Sequence, residues 1–174
     1  VVKTIYVPQY TDLRSSKLTL NVAPSIASTM LTALDELVGY PYGCVEQTMS
    51  RFLPTVIVAN AYKDLNAPLN EATMKDLPKM VEAGYNRLYS MQHYDGGWGW
   101  WINDQSHPFM TSYVVYGLAL GDQAGYNVRK DVLKNGVKSI KAQLKSKDLD
   151  VTTRAYMIYA MSHVDKDAKD IYTE

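Results

Sequence analysis

The sequence predicts an all-α fold made of paired helices, in which one helix of each pair is amphipathic and the next is apolar on most faces. Three observations carry this. Met74, Leu77, Val81, Tyr85 and Leu88 recur at three- and four-residue steps, and so do Leu133, Val137, Ile140 and Leu144, so each series makes one apolar stripe. The segments downstream of them, Ser112-Tyr-Val-Val-Tyr-Gly-Leu118 and Ala155-Tyr-Met-Ile-Tyr-Ala-Met161, match each other in the order of small and aromatic residues. The amphipathic partners also correspond, Gly84-Tyr85 with Leu88 against Gly136-Val137 with Ile140. A helix that is apolar on most faces has to be surrounded by other elements. An inner ring inside an outer ring satisfies this, and so does a solenoid; two repeats leave both open.

Taken in order, residues 1–22 differ from the rest. Ile5-Tyr6-Val7 and Lys17–Val22 have β-like composition, and they read as an extended or strand-forming lead-in from a neighbouring domain. The helical domain is expected over 23–174. Pro24 is placed to start a helix over about 25–38, and Gly39 to stop it. Gly39, Pro41 and Gly43 form a turn that enters a helix near Cys44, and Pro54 should kink or restart that helix. The second repeat lacks the insertion Asp95-Gly-Gly-Trp-Gly-Trp-Trp101 that separates the helices of the first. Lys134, Lys138, Lys141 and Lys145 lie about 100° round from the apolar stripe and read as a solvated face. Another helix is expected to begin in Lys166–Asp170, so the chain is expected to be a piece of a longer protein, cut short at its C-terminal side.

Composition narrows the functional classes. The 174 residues are 47% hydrophobic and 21% charged, with 18 basic and 18 acidic side chains, so no basic excess points to nucleic acid. No apolar run is long enough to cross a bilayer. One cysteine excludes an intrachain disulfide and argues against a cysteine-based zinc site, and His93, His107 and His163 show no ligand spacing with it; no metal or cofactor is expected. Aromatic usage is lopsided, with 14 Tyr and 3 Trp against 2 Phe, which suits surfaces that are half apolar and half wet.

The informative stretch is Gly39-Tyr-Pro-Tyr-Gly-Cys-Val-Glu-Gln-Thr-Met-Ser-Arg51. A cysteine at a helix mouth meets free N–H groups and the positive end of the dipole, which favour its thiolate. Gln47 lies three residues on, a spacing that places the two side chains on one face with Cβ atoms about 5–6 Å apart. Thiolate attack on the Gln47 carboxamide with loss of ammonia would leave a cyclic thioester, provided that the fold holds the attack geometry and excludes water. Other readings of Cys44 stand beside this one: the nucleophile of a cysteine hydrolase, or an unused thiol in a helical scaffold.

Pro41-Tyr-Gly-Cys-Val-Glu-Gln47 resembles the Cys-x-Glu-Gln thioester motif of the α2-macroglobulin and complement family, and the preceding tyrosine and proline are typical of its bacterial members. Asp95–Trp101 and Met110–Leu118 resemble the aromatic loop and following helix of the same domain, so the likeness runs over about 24–164. It implies an α/α toroid of inner and outer helices. It implies that Cys44 and Gln47 are the bonded pair, with Tyr42, Gly43, Glu46, Trp98, Trp100, Trp101 and Tyr113 shaping the site. It further implies a protease inhibitor rather than an enzyme, periplasmic or at the cell surface. Target proteases would be captured through lysine amines after bait cleavage, and macroglobulin-like domains would flank this one in the parent chain. Val45 stands where vertebrate members usually carry Gly, so ordinary backbone angles are expected there. The complement acceptor histidine has no counterpart in Lys145–Leu149, which favours direct attack by lysine amines.

Overall fold

The structure is a computed structural model that describes residues 4–12, 14–18, 38–65 and 71–164. Among these are five helices and no strand: α1 Val45–Leu65, α2 Glu71–Ser90, α3 Pro108–Gln123, α4 Lys130–Gln143 and α5 Val151–Ser162. The fold is all-α, as the periodicities require. Ile5, Tyr6 and Val7 are exposed and form no strand; among the described residues no second strand is there to pair with them. The helix expected over 25–38, apart from its last residue Val38, which is not helical, the boundary at 22/23 and the segment Lys166–Asp170 lie outside the described residues.

α3 occupies the centre, packed against α1, α4 and α5, while α2 lies against α1. The apolar α3 therefore has the apolar α1 and α5 as neighbours, and the amphipathic α2 and α4 flank them. α3 buries Met110, Val114, Val115, Leu118 and Ala119 on several faces, consistent with a helix that has neighbours around it. α4 buries Val132, Leu133, Gly136 and Ile140 along one stripe and exposes Lys134, Lys138 and Lys141 opposite, the solvated face expected of that lysine row. α2 does the same with Leu77, Val81, Tyr85 and Leu88.

The paired glycines of the repeat mark the close approaches. A Cβ on Gly84 would stand 2.4 Å from Phe52 of α1, and one on Gly136 would stand 2.6 Å from Val115 of α3. Each amphipathic helix thus rests its glycine on the apolar helix before it. Phe52 fills the space so made, meeting the Tyr85 ring edge-on at 5.0 Å.

Pro54 does not interrupt α1, which runs continuously from Val45 to Leu65. Proline removes one backbone donor, a local loss. Phe52, Val56 and Val58 are fully buried on either side of it, and their packing keeps the segment helical across the lost donor.

The tyrosine-rich composition finds its place on α3 and α5. Phe109, Tyr113 and Tyr116 form a ladder with Tyr156, Tyr159 and His163, with neighbouring centroids 4.8–6.4 Å apart. This face is half exposed, as amphipathic aromatics allow. Burial and the neighbouring tyrosines push the Tyr156 hydroxyl up to about 12.

Candidate functional site

Two backbone features place Cys44. Gly43 takes φ +77°, a left-handed conformation that lets the chain turn sharply into α1. Cys44 then stands immediately before the first helical residue, with its carbonyl accepting Thr48 N–H at 2.9 Å and its side chain buried at 8% exposure. Cys44 is the N-cap and Gln47 the third helical residue. The Gln47 side chain curls back so that its Oε1 accepts the Cys44 backbone N–H at 3.0 Å. This is the returning half of a capping box, with a thiol where serine or threonine normally stands. It brings the Gln47 carboxamide against the backbone of the cysteine, and the N–H bond draws electron density from the amide carbonyl. The fit requires glycine at 43, because a Cβ there would lie 1.8 Å from Gln47 Oε1.

The turn is braced from two directions. Arg87, in the last turn of α2, donates through Nη2 to the Gly43 carbonyl and through Nε to Thr48 Oγ1 at 3.0 Å. From the other side, the carbonyl of Trp100 accepts Val45 N–H at 3.0 Å and satisfies one of the free donors of the helix start. Neither Arg87 nor Thr48 stands out in the sequence. A basic residue ending a helix is ordinary complementation of the dipole, and only the packing of α2 on α1 reveals its second use.

The aromatic loop divides its three tryptophans. Trp98 is fully buried, its indole N–H donating to the Leu88 carbonyl at 2.8 Å and its backbone exchanging bonds with Thr111 Oγ1 at 3.0 and 3.1 Å. It anchors the loop in the core. Trp100 and Trp101 are 45% and 56% exposed, so their rings do not form a buried lid; Trp100 serves the turn with its carbonyl. Asp104 shapes this tip by accepting both N–H groups, at 2.8 and 3.1 Å. His93 holds the loop from below, Nδ1 against Ser106 Oγ at 2.9 Å and Nε2 against the Trp101 carbonyl at 3.0 Å.

The remaining expected residues fall around the same helix start. Tyr42 is 58% exposed and Gln47 is also exposed. Glu46 accepts Ser50 Oγ at 2.5 Å, and Tyr113 of α3 faces that pair. Burial pushes the Tyr113 hydroxyl above its usual value, the Ser50 hydrogen bond opposes this, and the Glu46 charge adds to it. His107 caps α3 with its backbone and is exposed, and the His163 ring packs edge-on to Tyr116 and Tyr159. Among the described residues no His, Cys, Asp and Glu cluster suited to a metal occurs, and no helix is long and apolar enough to cross a membrane.

Comparison with known proteins gives a consistent picture. The family model of the A-macroglobulin TED domain matches residues 17–147. An alpha-2-macroglobulin of Thermotoga maritima is 41% identical over 117 residues, which is 67% of this chain and 7% of that protein. Thioester-containing protein 1 (allele R1) of Anopheles gambiae is 27% identical over 103 residues, 59% of this chain and 8% of that one. Native alpha-2-macroglobulin of Escherichia coli, crystallised from domain MG7 to the C-terminus, superposes with TM-score 0.61 at 24% identity, covering 78% of this chain and 23% of that one, so the helical fold is shared. The chain spans less than a tenth of the length of the curated relatives it matches. With the matched model covering most of its length, the chain belongs to the A-macroglobulin TED domain family.

Proposed function

We propose that Cys44 and Gln47 form an internal thioester and that this domain is the acylating centre of an α2-macroglobulin-like protease trap. The observation that carries the reading is the Gln47 carboxamide oxygen held 3.0 Å from the Cys44 N–H at the start of α1. In the forming step Cys44 sulfur bonds to Gln47 Cδ, the C–N bond breaks, and the amide nitrogen leaves as ammonia with the thiol proton. In the capturing step a lysine amine bonds to the same carbon, the C–S bond breaks, and a proton returns to sulfur. Cys44 recovers its thiol but the Gln47 carboxamide is not regenerated, so each molecule reacts once and acts as an inhibitor rather than an enzyme.

The family sets the rest of the proposal. Bait cleavage elsewhere in the parent releases the acyl group to lysines of the attacking protease, outside the cytoplasm, in the periplasm or at the cell surface. The mosquito relative is itself called thioester-containing. Tyr42, Gln47, Trp100 and Trp101 are all exposed, so the surface that keeps water from the thioester is supplied by a neighbouring macroglobulin-like domain. The hydrolase reading loses ground here: the nitrogens of His93 are engaged by Ser106 and Trp101, and His163 packs among tyrosines.

Intact mass on the full-length parent chain tests the proposal. The wild type should be lighter than its sequence by one ammonia, methylamine should add to it and free one thiol, and Cys44→Ser should show neither change. A wild type of full sequence mass whose Cys44 is open to alkylation from the outset would refute it.

A further inference from the structure

The Gly43 carbonyl and the Cys44 N–H are the two poles of a single planar peptide unit. At one pole the Arg87 guanidinium donates to the oxygen; at the other, the N–H donates to Gln47 Oε1 at 3.0 Å. On the Gly43 side the chain holds that plane only loosely: Thr48 Oγ1 reaches the Tyr42 carbonyl at 3.5 Å, one peptide back, and the glycine between restrains its own dihedrals less than any other residue. Arg87 supplies the restraint, and it is well built for it. Its second contact, Nε to Thr48 Oγ1 at 3.0 Å, ties the same guanidinium to the first turn of α1, so turn and helix are held at a fixed offset. Two bonds from one planar fork leave little freedom of rotation.

We infer that Arg87 is a positioning residue for acyl transfer: it orients and polarises the 43–44 peptide so that the Cys44 N–H stabilises the negative charge that develops on Gln47 Oε1. The inference rests on the thioester reading and extends it. When sulfur attacks Gln47 Cδ, the carbonyl π electrons move to Oε1, and a donor already in place there lowers the barrier. The oxygen gains the same charge when an amine later attacks the thioester carbon, so one peptide unit serves both steps. A cationic donor at the far pole strengthens the N–H as a donor, as chained hydrogen bonds do.

The experiment uses the full-length protein as wild type, Arg87→Ala and Arg87→Lys. It measures the fraction lacking ammonia by intact mass and the rate constant for methylamine cleavage of the thioester that has formed. Melting temperature identifies variants that fold. Loss of positioning should lower the methylamine rate constant about tenfold and reduce the fraction formed, with Lys, which keeps the charge but not the fork, between Ala and wild type. A purely structural role gives the opposite sign, because a loosened turn admits methylamine and speeds cleavage. If Arg87→Ala melts early, Arg87→Lys decides by the same sign. A wild-type rate or a faster one in the folded variants overturns the role of Arg87 alone. A wild type that never loses ammonia overturns the thioester reading, and this inference falls with it.

Discussion

Two helix starts in this molecule are built on the same four-residue span and put to different ends. At α5 the cap closes locally: the Asp150 carboxylate accepts Thr153 N–H at 2.9 Å and the Thr153 hydroxyl at 2.6 Å. At α1 the N-cap is a thiol, a weak acceptor, and the third residue reaches back instead, Gln47 to the Cys44 N–H. The backbone groups around this start are met from far along the chain, Val45 N–H by the Trp100 carbonyl and the Gly43 carbonyl by the Arg87 guanidinium. The lesson is that a local cap confines its benefit to the helix, whereas a cap made from distant segments leaves its own side chain uncommitted.

Substitutions can break or sharpen this contrast. Gly43→Ala should have the largest effect, because its Cβ would fall 1.8 Å from Gln47 Oε1 on a backbone with φ +77°. Gln47 must swing away, so ammonia loss in the full-length protein should fall more than tenfold, with about 1–3 kcal/mol lost in urea unfolding. Ammonia loss at the wild-type level would show that the returning Gln47 contact is dispensable.

Gly136→Ala strikes the scaffold and leaves both helix starts in place. Its Cβ would meet Val115 Cγ2 at 2.6 Å and Trp98 Cζ3 at 3.0 Å, and the stiff valine cannot yield far. Overpacking of this kind should cost about 1–3 kcal/mol in denaturant titration, while molecules that remain folded still lose ammonia.

The smallest effect is expected from Asp150→Ala, a drop of a few degrees in melting temperature with thioester content unchanged. Its pH dependence identifies the cause. The Thr153 hydroxyl, followed by the Thr153 backbone N–H, holds the Asp150 carboxyl below its usual pKa. A lowered folded value means that the contribution is complete above the unfolded pKa, near the ordinary carboxylate range, and disappears as pH falls through the folded one. Thermal melts of variant and wild type should therefore converge in acid; a constant gap would assign the loss to helix propensity.

Much of this architecture can be read from the sequence because it rests on periodicity. The stripes ending in Leu88 and Leu144, and the matched glycines 84 and 136, all report which face packs inward, and packing follows spacing. The approach of Gln47 to the Cys44 backbone was legible for the same reason, the two being neighbours in one helical turn. Trp98, Trp100 and Trp101 were not separable, since only the hydrogen bonds of the loop determine which ring turns inward. Arg87 was hidden too: its acceptors lie 39 and 44 residues away, and no pattern within α2 points to them. Pro54 is the reverse case: the local signal for a restart gives way to a continuous helix with Phe52, Val56 and Val58 buried around it.

The outward position of Gln47 carries one more consequence. Under the proposed thioester chemistry, an acyl carbon at the surface rather than down a channel sets no upper size on the amine that can reach it, so a folded protein's lysine would approach as freely as a small amine. On the same proposal, choice of target would be a matter of what stands in front of the helix and when it moves aside, and an attached product would stay moored flush to the domain's outer wall.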